Sequence, residues 1–173
     1  MIFVYEFVTN KIRQCNFDLS VNFEIPATCV VRNDKGKGRN NRALMDPTQV
    51  VYAMDGDRYN RHAYMPQQFP RGTWTIKEPY PVDEADPEYK YKGPWMIPTD
   101  AFQMVQVWHL HTETGGYLKP TSEWVKDWGY AVHSSESRTT LGCIINSEPD
   151  LMSMKRRVDD CFYRKEPVYL EVR

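Results

Sequence analysis

A histidine and a cysteine ten residues apart are the residues of this sequence whose types and spacing best suit catalysis. An apolar stretch ends at His133, a segment rich in hydroxyl residues follows, and Gly142-Cys143 comes directly after it. A cysteine attacks acyl carbons well as a thiolate, so it needs a nearby imidazole to take its proton. The loop is long enough to bring the two side chains together. As a pair they would carry out acyl transfer by a thiol nucleophile with a histidine base, whereas on spacing alone two unrelated residues are the more common case.

Hydroxyl residues and a glycine in the same stretch extend the candidate site. Gly142 lets the backbone approach a substrate closely, and the amides around Cys143 are able to bind an oxyanion. Ser137 or Thr140 orients the imidazole or stabilises charge, unless backbone carbonyls do so, and the sequence leaves this choice open. The candidate catalytic residues are Cys143, His133, Gly142 and Thr140, and the candidate substrate-binding residues are Ser134, Ser137, Arg138 and Trp95.

Apolar and β-prone stretches predict that strands position these residues. Alternation and turn residues mark short strands rather than long helices. An Asp55-Gly56 pair predicts a two-residue hairpin turn. The predicted strands cover residues 2–8, 17–23, 28–31, 50–54, 73–76, 102–110, 130–132 and 168–172.

One helix is predicted directly after the cysteine. Ser147 is a capping residue, Asp150 follows three positions later, and Pro149 fits the first turn. Helical spacing then puts four apolar residues on one face. They are Leu151, Met154, Val158 and Cys161.

The stretch around Cys143 resembles the catalytic segment of L,D-transpeptidases. Thr140-Leu141-Gly142-Cys143-Ile144 is similar to the family's Ser-x-Gly-Cys-Ile-type motif, with threonine in the serine place. Val132-His133 resembles the strand-borne histidine ahead of it. The short loop between histidine and cysteine looks like the compact version found in some secreted antibacterial effectors.

Four further segments resemble the same family, in the same order along the chain. Residues 69–76 are similar to its Thr-Pro-x-Gly-x-aromatic-x-Ile segment, with Phe69 in place of the threonine. Gly93-Pro94-Trp95-Met96 resembles the Gly-Pro-aromatic segment that commonly follows. Asn146 and Asp150 lie where the family often has Asn and Asp opening a helix, and residues 166–172 are similar to its last strand.

Two positions depart from the family pattern. Ser134 stands where the family usually has glycine, and Ile145 stands where it usually has an arginine that organises the pocket. Arg138 in the loop is a candidate replacement for that arginine. A solvent-facing role for Arg138 is the alternative.

The resemblance implies a mostly-β fold, an L,D-transpeptidase-like β-sandwich with a mixed sheet and one or two helices. It implies a single catalytic domain over residues 1–173, in which residues 50–173 carry the likeness and the N-terminal strands of residues 1–46 have no clear counterpart. The implied activity is modification of peptidoglycan stem peptides through a thioacyl intermediate. Transfer to an amine gives L,D-transpeptidase activity, and transfer to water gives L,D-carboxypeptidase activity. No cofactor is expected.

Other functions stay open on the sequence. A non-enzymatic peptidoglycan-binding or structural module of a phage particle or secretion apparatus would explain the missing arginine. Sortases also combine His, Cys and Arg, with Arg156 available here, but they separate His and Cys far more widely. His109 and His111 share a strand face and would make two zinc ligands. Because no third ligand stands at motif spacing, we expect no metal there.

Composition narrows the partners and the location. The net charge of −1 gives no reason to expect a nucleic-acid partner, and no apolar run is long enough to span a membrane. The N-terminus lacks the features of a signal peptide, so we expect synthesis in the cytoplasm. Action in the bacterial cell envelope then requires another route, by a phage particle, a secretion machine or cell lysis. Of the four cysteines, buried free thiols are the expected state, with a Cys15–Cys29 disulfide as the alternative.

Overall fold

The computed structural model describes residues 1–15, 20–29, 51–54, 61–64, 68–86, 89–110, 117–135, 140 and 142–173. Over these residues the protein is mostly β, with mixed sheets, one long helix and one helical turn, as the sequence predicts. No helix among them is both long and apolar enough to cross a membrane. The elements are β1 (Ile2–Glu6), β2 (Lys11–Cys15), β3 (Val21–Pro26), β4 (Val51–Met54), β5 (Arg61–Tyr64), β6 (Gly72–Thr75), β7 (Tyr80–Pro81), α1 (Tyr89–Lys92), β8 (Trp95–Pro98), β9 (Phe102–Leu110), β10 (Tyr117–Trp128), β11 (Ala131–Ser134), β12 (Ile144–Asn146), α2 (Glu148–Tyr163) and β13 (Tyr169–Val172).

A five-stranded sheet joins the two ends of the chain. Its order is β3-β2-β1-β13-β6, in which β1 and β13 are parallel and the other pairs are antiparallel. Phe3 of β1 stands opposite Leu170 of β13, and both side chains are fully buried. The N-terminal strands are therefore part of the main core.

A four-stranded sheet carries the candidate site. Its order is β12-β11-β8-β7, with β11 and β12 parallel and the remaining pairs antiparallel. All four residues of β11 and all three of β12 are buried. The pairs β9–β10 and β4–β5 form separate two-stranded antiparallel ribbons. β4 pairs with β5 from Val51 opposite Tyr64 to Met54 opposite Arg61, and the predicted turn at Asp55-Gly56 lies outside the described residues.

Helix α2 packs its apolar face on the core as the sequence predicts. The hydroxyl of Ser147 accepts a hydrogen bond from the Asp150 N–H, which satisfies one of the free donors of the first turn. The residues that α2 buries are the four predicted from helical spacing: Leu151, Met154, Val158 and Cys161. The helix that follows Cys143 and β12 in the sequence is thereby packed on the core.

Candidate functional site

The parallel pairing of β11 with β12 brings the histidine and cysteine segments side by side. Val132 stands opposite Ile144, and His133 stands opposite Ile145. Cys143 directly precedes β12, so this register sets it level with Ala131. Ala131 and His133 are two residues apart on one strand, a distance of roughly 6–7 Å.

The sulfur of Cys143 lies against the beginning of β11. The side chain is half-buried, and its sulfur lies 4.0 Å from the carbonyl oxygen of Gly129. The Ala131 N–H and the Thr140 hydroxyl lie near the sulfur and favour its thiolate form. These contacts make Thr140, a predicted catalytic residue, a direct neighbour of the sulfur.

Burial raises the pKa of the Cys143 thiol to about 11, because the thiolate loses solvation. The hydrogen bonds from Ala131 and Thr140 oppose this shift, and the carboxylate of Asp127 adds to it. The positive charge of Lys92 also favours the thiolate, as the smallest of these effects. The free protein therefore holds Cys143 as a neutral thiol near pH 7.

The imidazole of His133 is buried and held by backbone groups. Its Nδ1 lies 2.8 Å from the carbonyl oxygen of Ser134. Because a carbonyl only accepts, Nδ1 carries the hydrogen and Nε2 is the basic nitrogen of the neutral ring. Burial lowers the pKa of His133, the Lys92 charge acts in the same direction, and backbone hydrogen bonds to Ser134 and Lys92 oppose the shift. A neutral imidazole is the form that accepts a proton.

The structure gives the sulfur and the imidazole different hydrogen-bond partners. Among the described residues, the sulfur contacts Gly129, Ala131 and Thr140, whereas the ring contacts Ser134 and Lys92. Catalytic hydrogen bonds are often long or poorly aligned in a protein without substrate. Proton transfer between the two side chains requires the basic Nε2 of the ring to come within hydrogen-bond distance of the sulfur.

Gly142 has the backbone geometry that its residue type permits. Its φ is 137°, in the region that favours glycine. Its N–H donates to the Thr140 hydroxyl at 3.3 Å, and its carbonyl accepts from the Cys29 thiol at 3.2 Å. The first bond holds the peptide group that enters Gly142, and the second holds the Gly142–Cys143 peptide group that precedes the nucleophile.

The predicted substrate-binding residues fall in different surroundings. Ser134 is buried, and its hydroxyl faces Gly93, where an added Cβ would lie 1.9 Å from it. Trp95 is half-buried, with the Lys155 ammonium 3.7 Å above its ring. Ser137 and Arg138 lie outside the described residues.

Sequence reasoning missed two buried neighbours of the nucleophile. Asp127 is 4% exposed and accepts a hydrogen bond from the Tyr130 hydroxyl, and its negative charge raises the pKa of the Cys143 thiol. Cys29 is a free, buried thiol beside Gly142, so it forms no disulfide with Cys15. Neither has a motif around it, and only the sheet pairing puts them near the site.

The segment of residues 69–76 enters the five-stranded sheet rather than the sheet of β11 and β12. β6 pairs with β13, and the half-buried Trp74 donates from its indole to the Pro70 carbonyl at 2.8 Å. An open cleft of about 460 Å³ lies on this side of the molecule. It is lined by Phe7, Gln68, Phe69, Pro70, Arg71, Trp74, Phe102 and Gln103.

A metal centre finds no support in the described part of the chain. No group of three or more His, Cys, Asp or Glu side chains there could hold an ion. The side chain of His109 and the whole of His111 lie outside what the structure describes. The expectation of no metal at these two histidines stays a prediction.

Comparison with known proteins gives no assignment. No protein-family model matches this chain, and none of the curated proteins matches it. The resemblance to L,D-transpeptidases therefore stays a hypothesis. Its support is the motif residues and the contacts around Cys143.

Proposed function

We propose that the chain is a cysteine-nucleophile enzyme that acts on peptidoglycan stem peptides as an L,D-transpeptidase, an L,D-carboxypeptidase or both. Cys143 is the nucleophile and His133 is its base. The substrate bond joins an L-centre residue, such as diaminopimelate, to a D-amino acid. The observation that carries the proposal is the adjacent parallel pairing of the two segments, with the Thr140 hydroxyl near the sulfur, where it favours the thiolate.

The pKa directions favour general-base attack over a preformed thiolate. The thiol is neutral at rest because its pKa is raised, and the imidazole is neutral because its pKa is lowered. Proton transfer from sulfur to imidazole then accompanies attack on the carbonyl carbon. The Thr140 hydroxyl lowers the cost of developing charge on the sulfur by donating to it.

The two half-reactions return every group to its starting state. The sulfur of Cys143 bonds to the carbonyl carbon, and His133 takes the thiol proton. The carbon–nitrogen bond to the D-amino acid breaks, and the imidazolium returns that proton to the leaving amine. An amine or water then attacks the thioester and gives a proton to His133. The carbon–sulfur bond breaks, and the imidazolium returns that proton to the sulfur of Cys143.

A second candidate function is a non-enzymatic peptidoglycan-binding or structural module of a phage particle or secretion apparatus. The raised pKa of Cys143 favours it, since a thiol that stays neutral near pH 7 is typical of structural cysteines. The lack of a hydrogen bond between the His133 ring and the Cys143 sulfur among the described residues also favours it.

Product formation from purified tetrapeptide muropeptides, followed by mass, distinguishes the two functions. We expect the native protein to give cross-linked, exchanged or shortened products, and Cys143→Ala to give none. His133→Ala should lose most of the activity, because a cysteine without a base keeps only a few per cent thiolate near neutral pH.

Cys161→Ala is the matched control, since Cys161 is a fully buried thiol on the core face of α2. It should keep native activity. Equal activity in the native protein and in Cys143→Ala would exclude Cys143 as the nucleophile. Stoichiometric binding of muropeptides by a native protein that forms no product would establish the binding module.

A further inference from the structure

A second buried thiol stands directly behind the peptide group of the nucleophile. Cys29 is 2% exposed, and its S–H donates to the Gly142 carbonyl across a sulfur–oxygen distance of 3.2 Å. The residue before it, Thr28, exchanges two backbone hydrogen bonds of 2.8 Å with Ile145 of β12. Cys29 is therefore fixed beside the beginning of β12, which Cys143 directly precedes.

The sulfur of Cys29 is itself held in place. The N–H of Phe69 donates to it at 3.2 Å. Phe69 is 1% exposed and packs against the ring of Tyr130, with centroids 5.3 Å apart. Burial raises the pKa of Cys29 to about 12, so the thiol keeps the hydrogen that it donates.

The hydrogen bond from Cys29 to the Gly142 carbonyl also sets the direction of the Cys143 N–H. The Gly142 carbonyl and the Cys143 N–H belong to one planar trans peptide group, so they point in opposite directions. With the carbonyl directed at Cys29, the Cys143 N–H points away from that sulfur and from the core around it. No acceptor for this N–H is found among the residues that the structure describes.

An N–H at the nucleophile that points towards the substrate is a donor for the charge that develops on a substrate carbonyl oxygen. Gly142 is free to flip its peptide group because its φ of 137° lies in a region that glycine visits easily. A flip would exchange the directions of carbonyl and N–H and remove the donor from the reacting side. The Cys29 hydrogen bond opposes that flip.

We propose that Cys29 is a positioning residue that holds the Gly142 peptide group in the orientation in which the Cys143 N–H binds the oxyanion. The inference rests on the proposed function insofar as Cys143 is the nucleophile. It does not depend on the substrate being peptidoglycan.

Two reagents that differ in the need for an oxyanion test the role. Acylation of Cys143 by p-nitrophenyl acetate forms the sulfur–carbon bond while the carbonyl electron pair moves to oxygen; that oxyanion then collapses and expels nitrophenolate. Alkylation by iodoacetamide displaces iodide and forms no oxyanion. Both rates are measured by the mass of the Cys143 peptide, in the native protein, Cys29→Ala, Cys29→Ser and Cys161→Ala.

Cys29→Ala should lower the acylation rate by about tenfold or more, since loss of one oxyanion donor costs roughly 10²–10³ in rate. Its alkylation rate should stay within about twofold of native, because thiolate attack on iodoacetamide depends on thiolate fraction and access. Cys29→Ser keeps a donor and should retain most of the acylation rate, and Cys161→Ala should match the native protein in both reactions.

Several results would overturn the role. One is an equal fall of acylation and alkylation in Cys29→Ala, which would mean that Cys29 only supports the fold. Unchanged acylation in Cys29→Ala would leave Cys143 as nucleophile and remove Cys29 alone. No acylation of native Cys143 would remove both this role and the proposed nucleophile. If Cys29→Ala does not fold, Cys29→Val, which also lacks a donor, takes its place.

Discussion

The ionisation of single side chains sets how the site responds to pH. In many cysteine enzymes a nearby cation or helix N-terminus lowers the thiol pKa. Here burial dominates and raises the pKa of Cys143 to about 11, while burial lowers the pKa of His133. Both residues are therefore neutral at pH 7, and the reactive thiolate appears only with substrate or at alkaline pH.

The alkylation of Cys143 by iodoacetamide should follow this ionisation. We expect its rate constant to rise about tenfold per pH unit from pH 7 to pH 10, because only the thiolate reacts and its fraction grows until the pH reaches the pKa. The same residue in urea-unfolded protein should level off above about pH 8.5. The measurement is the mass of the Cys143 peptide after timed reaction.

A plateau below pH 8.5 in the folded protein would contradict this prediction. It would mean that the native site stabilises a thiolate, and general-base attack would give way to a thiolate–imidazolium pair. The unfolded protein provides the reference in the same samples.

At the scale of elements, the cap of α2 fixes the helix that begins five residues after Cys143. The Ser147 hydroxyl accepts from the Asp150 N–H and donates to the Asp150 carboxylate at 2.6 Å. Ser147→Ala should lower the free energy of unfolding by about 1 kcal/mol, the usual cost of an N-cap. Ser153→Ala, within the same helix, should change it by less than about 0.5 kcal/mol. Urea unfolding compares the two, and an equal effect would exclude a special role for the cap.

The junction of α1 and β8 depends on a glycine beside the histidine strand. Gly93 has a φ of 65°, and a Cβ there would lie 1.9 Å from the Ser134 hydroxyl. Gly93→Ala should cost about 2–4 kcal/mol of stability, since left-handed strain of about 1–2 kcal/mol adds to the overlap. Gly129→Ala should cost only the strain, because its φ is 96° and nothing lies within 4 Å.

The double variant Gly93→Ala, Ser134→Ala separates the two contributions to that cost. Removing the Ser134 hydroxyl should restore part of the stability lost in Gly93→Ala. Thermal unfolding of the single and double variants measures the coupling. Strictly additive effects would show that the hydroxyl contact is not the cause.

At the scale of the whole molecule, the first strand is as central as the last. Phe3 of β1 is fully buried opposite Leu170 of β13. Phe3→Ala should therefore lower the free energy of unfolding by about 3–5 kcal/mol, the usual cost of emptying an aromatic core site. Val8→Ala should change it by less than about 0.5 kcal/mol, because Val8 is 93% exposed. A small effect of Phe3→Ala in urea unfolding would mean that β1 is not part of the cooperative core.

Local periodicity was enough to predict several elements from the sequence. The cap at Ser147, the buried face of α2, and the strand at Phe102–Leu110 all agree with the structure. Each depends on residues within one or two turns or one strand, so its signal is contained in neighbouring positions. The buried strand that contains His133 was also predicted from its local sequence.

Elements without such a signal were missed. β2 has the mostly polar sequence Lys11–Cys15 and forms because it lies between β1 and β3. β12 has only three residues, and its pairing with β11 defines it. Residue 28, expected to begin a strand, forms a single bridge to Ile145. In these cases a partner strand supplies the hydrogen bonds, and the local sequence does not identify that partner.

The sequence by itself determined the chemical groups of the candidate site, because Gly142-Cys143, the preceding histidine and the helix cap are local patterns. Tertiary structure decided the neighbours of each group. Cys29 reaches the Gly142 carbonyl across 113 residues, and the Cys143 sulfur rests on Gly129 and Ala131. Such contacts depend on the register of several strands at once, and a shift of one residue in any of them would turn these side chains to the other face.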